Sequence, residues 1–280
     1  MRIIALYLLA AALPAAETAV TIRFGAAVNG RPFACGQSYS GVGTAASTIS
    51  ARDFRFYVHN VRLVDETGAE TPVRLPADGK WQGEETALLD FENATGPCSN
   101  GTPETNDRIS GSIDSPPRAW RGLRFTVGVP FAANHQELTA LPSPLNLTAL
   151  SWVWNAGHKF ARLDISIAGQ TRGFAIHLGS TGCTPSTTRT TVPTTCSEPN
   201  RIEVDFPVFD VAQDVVLADL GALLANSDLA HADGGCMSDP GDDECGPLFG
   251  NFGLPFRGKR LSGQQFLKRV PGGRSADASE

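Results

Sequence analysis

From Ala19 onward apolar and polar residues alternate in short runs, with Gly, Pro, Asn and Asp separating one run from the next. Alternation at period two sends successive side chains to opposite faces of an extended strand, so the pattern is that of an antiparallel β protein with few helices. It predicts strands over Val20 to Val28, Ser50 to Val64, Glu85 to Glu92, Gly122 to Val129, Ser151 to Trp154, Arg162 to Ile167, Thr171 to Leu178 and Arg201 to Phe209. The turn residues Asp65-Glu66-Thr67-Gly68-Ala69 ask for a hairpin or meander that begins at Asp53 and returns near Glu84 to Phe91. Strands spaced in this way pack as a sandwich or barrel, and the expectation is an all-β, antiparallel sandwich. Helical spacing is confined to the C-terminal part. Val211, Val215, Leu217, Leu220 and Leu224 predict a helix over 210–224 capped by Asp210, and Ser262 to Arg269 predicts a second short one.

The apolar fraction of 41% in 280 residues is enough for one large β domain, and no repeat or composition break demands two. The start differs from the rest. Met1-Arg2 precedes an apolar run to Leu13 and then Pro14-Ala15-Ala16, which reads as a secretory leader over 1–16. That run is shorter than the roughly 20 residues a bilayer span needs, and no later segment offers one. The domain is then expected over 17–270, and the Gly- and Ser-rich stretch 271–280 as a disordered tail.

A net charge of −6 and a pI near 5.4 argue against nucleic acid, which requires a basic face. Export changes the reading of the six cysteines, because an even number in an oxidising compartment favours disulfides over thiolate ligands. Sequence alone leaves the pairing open. Cys183 with Cys196 and Cys236 with Cys245 would each close a short polar loop, leaving Cys35 to join Cys98. Catalytic patterns such as G-x-S-x-G, H-E-x-x-H, the P-loop and G-x-G-x-x-G do not occur, so an enzyme is not supported.

Five histidines remain as the side chains best suited to a borderline-soft metal. Period-two geometry places His59 with Arg55 and Tyr57 on a face that cannot be plain core. His135 follows the 122–129 strand in a loop. His177 leaves the apolar face of Phe174, Ile176 and Leu178 and is positioned to meet His59 across a sheet. His231 reads as solvated in a polar loop.

Several of these residues lie in longer segments: Phe56-Tyr57-Val58-His59-Asn60-Val61-Arg62-Leu63, Val129 to His135, Pro144-Leu145-Asn146, Ser151 to Phe160, and Phe174 to Cys183 with its His177-Leu178-Gly179-Ser180-Thr181-Gly182-Cys183 ending. Together they resemble the MbnP family of periplasmic copper-binding proteins over most of the mature chain. The resemblance implies copper as cofactor, His59, His135 and His177 as its ligands, His158 as a packing residue at a place the family commonly fills with an aromatic, and a di-haem partner enzyme of the MauG-like, MbnH type. It further implies that one tryptophan is oxidised to kynurenine and contributes a nitrogen to the metal. Of the four tryptophans, Trp81 stands in a polar loop where burial does not explain it and ranks first, with Trp154 second. Two other readings stay open: a copper-dependent oxidative enzyme, and a cell-surface sandwich module whose histidines bind nothing.

Overall fold

The computed structural model describes residues 17–83, 85–115, 119–152, 156–186 and 191–272. The proposed leader, most of the proposed tail and Trp154 lie outside them. Strands dominate, in two large curled sheets packed face to face and two two-stranded hairpins. Sheet one is a long path that runs Ile202–Phe206, Trp120–Val127, Arg55–Asp65, Ala161–Arg162, Gly173–Leu178, Ile165–Ile167, Ser47–Ala51 and Ser38–Val42. Sheet two is built on Glu17–Val28, with Arg108–Asp114 antiparallel on one side and Val215–Asp219 on the other. The last of these pairings is parallel, as is the short pairing of Gly173–Leu178 with Gly235–Cys236, in an otherwise antiparallel architecture.

Alternation explains the packing. Phe56 and Val58 point from sheet one into the interior, Ile22 and Phe24 point to meet them from sheet two, and the Phe24 ring lies 6.2 Å from Phe56 and 5.7 Å from Phe125. Phe54, Phe252 and Phe266 extend this aromatic core, Phe266 meeting Phe56 and Phe252 edge-on, which suits the ring quadrupoles, and Phe54 at a tilt. The predicted hairpin forms: Arg55–Asp65 pairs with Glu70–Pro72 across the 65–69 turn and with the return strand Thr86–Asp90. Asp65 builds that turn by accepting from the backbone N–H of Thr67 and of Ala69.

All three disulfides form with the expected partners, Cys35–Cys98, Cys183–Cys196 and Cys236–Cys245. The helical expectations fare differently. Within 210–224 only Leu220–Leu224 is helical, capped by Asp219 rather than Asp210. The β-branched pair Val215-Val216 is instead drawn into sheet two, where Val216 and Ala218 bury fully. The helix predicted over Ser262 to Arg269 is absent. Leu267–Val270 forms the edge strand beside Val215–Asp219, and Phe266 fills the core. A helix that the alternation does not signal runs over Cys245–Phe252, started by the disulfide with Pro247 in its first turn and closed by Gly253 at φ +74°. At the C-terminus, the Gly272 N–H is held by Asp214, so the first two residues of the proposed tail are fixed.

Candidate metal centre

The outer face of sheet one carries Arg55, Tyr57 and His59, and residues 129–152 and 156–160 pack over it. Tyr57 donates its hydroxyl to the Pro144 carbonyl at 2.8 Å, and its ring meets His158 edge-on at 5.9 Å. The face is therefore buried yet polar, as the sequence requires. Register places Arg55 opposite Arg162 and Arg162 opposite His177, so His177 and His59 do share one face. They do not meet. Four residues at about 3.3 Å each and two strand spacings of about 4.8 Å put them roughly 16 Å apart.

His177 sits at one end of a buried ionic network. Its Nε2 lies 2.9 Å from Asp164 Oδ1, and its Nδ1 is buried without a hydrogen-bond partner. Against its own burial, Asp164 is held below the usual carboxylate range by the His177 hydrogen bond, so it stays ionised and accepts the hydrogen bond from Nε2–H. In the neutral ring the lone pair is then on Nδ1. Arg162 links Asp164 to Asp53, which pairs in turn with Arg55 through two hydrogen bonds. Asp90 and Glu92 complete the group. Burial pushes the carboxyls of Asp53, Asp90 and Glu92 up, that of Asp90 to about 7, while Asp53 raises Arg55 against the burial that opposes its charge.

His59 lies at the other end of the face. Burial, helped by the charges of Arg201 and Arg62, lowers its pKa to about 4, so the ring is neutral at neutral pH. Its Nε2 is also buried without a partner. Arg201 donates to the Val129 carbonyl and lies 6.0 Å over the Phe131 ring, which is 5.2 Å from the His135 ring. His59 and His135 thus border one corner of the molecule.

His135 follows the short helix Phe131–Asn134 and is 1% exposed. The His158 N–H donates to Asn134 Oδ1 at 2.8 Å, which fixes the amide so that Asn134 Nδ2 faces His135 Nε2 at 3.0 Å. His135 Nε2 is therefore an acceptor and bears the lone pair. His158 itself spans the carbonyls of Leu145, 2.8 Å from Nε2, and Asn134, 3.2 Å from Nδ1, which is the packing role expected of it. His231 is exposed and paired with Asp228.

Among the described residues, the groups whose donor atoms all lie within 4.8 Å of one another are His135 with Cys183 and Cys196, and Glu92 with Cys35 and Cys98. Neither contains His59 or His177, so the structure does not bring the three expected ligands together. The sulfurs in both groups are tied in disulfides. Trp81 is half-buried with the Lys80 ammonium 4.6 Å over its ring. The sequence reading did not weigh Asp53, Asp90, Glu92, Asp164 or Asn134. The signal of the four acids was charge beside apolar residues, as in Leu163-Asp164-Ile165, and Asn134 carried none.

These shifts give stability opposing pH slopes. His59, with a folded pKa below its unfolded value near 6.5, contributes stability that is complete above that value and lost as pH falls toward about 4. Asp90, raised from 3.8 to about 7, acts in reverse: its contribution is complete below 3.8 and lost as pH rises through 7. Between pH 4 and 6.5 the two partly cancel. Thermal melts should therefore show H59Q stabler than the parent at the acid end, and D90N losing the parent's decline toward neutrality.

The MbnP family model matches residues 17–238. Among solved structures, MbnP from Methylosinus trichosporium superposes with a TM-score of 0.80 at 28% identity, covering 92% of this chain and 100% of its own. No curated protein sequence matches.

Proposed function

The chain belongs to the MbnP family, and from that premise we propose that it is an exported, periplasmic copper-binding protein of bacterial copper handling, an accessory protein rather than an enzyme. The observation that carries this reading is His177. A ligating histidine ordinarily gives its second ring nitrogen to a carboxylate, which fixes the tautomer and raises the basicity of the first. Asp164 does this for His177 and leaves Nδ1 buried and unpartnered. His177 is the principal ligand of the proposal. His59, a neutral ring at neutral pH, lies further along the same covered face, His135 stands on the segment that covers it, and their part is decided by single replacements.

Copper supplies a soft ion that accepts neutral nitrogen donors. Kynurenine, made from tryptophan by a di-haem partner of the MbnH type, would provide an aniline nitrogen where indole provides none. Between the two candidates, Lys80 tells against Trp81. A cation over the ring stabilises the electron-rich indole and opposes removal of an electron from it. Trp154 is therefore the preferred target. Peptide mass spectrometry of protein from its native host should locate kynurenine at 154 and leave Trp81 intact. Four unmodified tryptophans beside bound copper would remove kynurenine from the account, and modification at 81 would reverse the ranking.

A further inference from the structure

We propose that opening the Cys183–Cys196 disulfide converts it, together with His135, into a thiolate-rich site for a soft or borderline d10 ion, Cu(I) or Zn(II). This goes beyond the copper reading and shares only His135 with it. His135 Nε2 lies 3.5 Å from Cys196 Sγ and 3.9 Å from Cys183 Sγ. With metal–sulfur bonds of about 2.3 Å and metal–nitrogen bonds of about 2.0–2.1 Å, tetrahedral or trigonal angles require N···S separations of about 3.6–3.8 Å. Those spacings are already built. The sulfurs, now bonded to each other, have to part to about 3.8 Å, which calls for a small rotation of two side chains on a separate hairpin, Thr181–Thr184 with Thr195–Glu198.

The imidazole is in the correct tautomer, since Asn134 holds a proton against Nε2 and so marks the lone pair there. Binding exchanges that hydrogen bond, worth about 1 kcal/mol net, for a metal bond. Two thiolates and one imidazole form a soft donor set. The second group within reach, Cys35 and Cys98 with Glu92, adds a hard carboxylate instead, and its Cys98 is fully buried. Cys236 and Cys245 are also buried. Cys183 and Cys196 are both only partly buried, and Cys183 lines an open cleft of about 440 Å³ with Trp152, Ser180 and Met237. A reductant and an ion therefore reach this disulfide most directly.

The required co-reactant is a dithiol. It gives two electrons and two protons to the disulfide, leaving as its own cyclic disulfide, and the metal then displaces the two thiol protons. The test uses dithiothreitol on the full mature chain, with alkylation and peptide mapping to verify that Cys183 and Cys196 are open. Cadmium serves as the probe. The reduced protein should bind one Cd(II) with a thiolate-to-metal charge-transfer absorption, and the oxidised protein should show none. H135Q should bind at least about tenfold more weakly, since lesser changes behind a ligand already cost about 10–100-fold. The double variant C183S/C196S, shown folded by circular dichroism, should lose the absorption. Reduced parent protein without the absorption, or the absorption persisting in the double variant, overturns the proposal. Neither result bears on copper bound by the oxidised protein.

Discussion

Replacing Arg55 by Met should lower the unfolding free energy by about 3–5 kcal/mol, although the two side chains are similar in length and the change touches no proposed ligand. Arg55 is 3% exposed and is hydrogen-bonded twice to Asp53, which is fully buried. Its Nη1 lies 3.8 Å from Glu92, and its charge also opposes the upward shift of Asp90. Without the guanidinium, a face already crowded with acids retains Arg162 as its remaining partner for Asp53. Chemical denaturation of R55M at neutral pH measures the loss. The loss should shrink in acid, where the carboxyls take up protons and no longer need the guanidinium. The double variant R55M/D53L should recover part of the stability, because an apolar pair leaves no unpaired charge at that point. A loss under about 1 kcal/mol would mean that the network is hydrated and contributes as little as a surface pair does.

The second large effect is on metal. Replacing His177 by Ala should cut copper occupancy by at least about tenfold while the protein keeps its fold, because the ring contributes little to the aromatic core and Asp164 retains Arg162. The variant D164N separates ligation from structure. It keeps the size of the residue but removes the charge that places the proton on Nε2, so copper affinity should fall about 10–100-fold with little change in melting temperature. If H177A unfolds while D164N binds copper normally, His177 is a structural member of the ionic network. The same measurement on H59A and H135A decides which of the remaining imidazoles contributes.

Much of the architecture was legible in the chain. Strict alternation in Val20 to Val28 and in Thr171 to Leu178 identified strands because each has one face on the core, and the 65–69 turn fixed the hairpin beside them. The C-terminal part misled for a physical reason: the spacing of Val211, Val215, Leu217 and Leu220 fits a helix and a strand alike, and parallel pairing with Arg23–Ala27 decided it, a long-range contact no local pattern records. The site was legible by face and not by distance. Period two correctly put Arg55, Tyr57 and His59 on a polar face shared with His177, but the offset along the strands depends on the register through Ala161–Arg162, which the sequence does not encode visibly. Asn134 and Asp164, which set the tautomers of His135 and His177, sat in plain view without a spacing that would mark them.

The central claim is that this chain carries copper on imidazole nitrogen, and metal analysis of the protein purified from the periplasm of its native host tests it most directly. The account predicts one copper per chain in the parent and a largely copper-free H177A variant that still melts cooperatively. Parent protein that emerges folded, with its three disulfides intact and without copper, would contradict it.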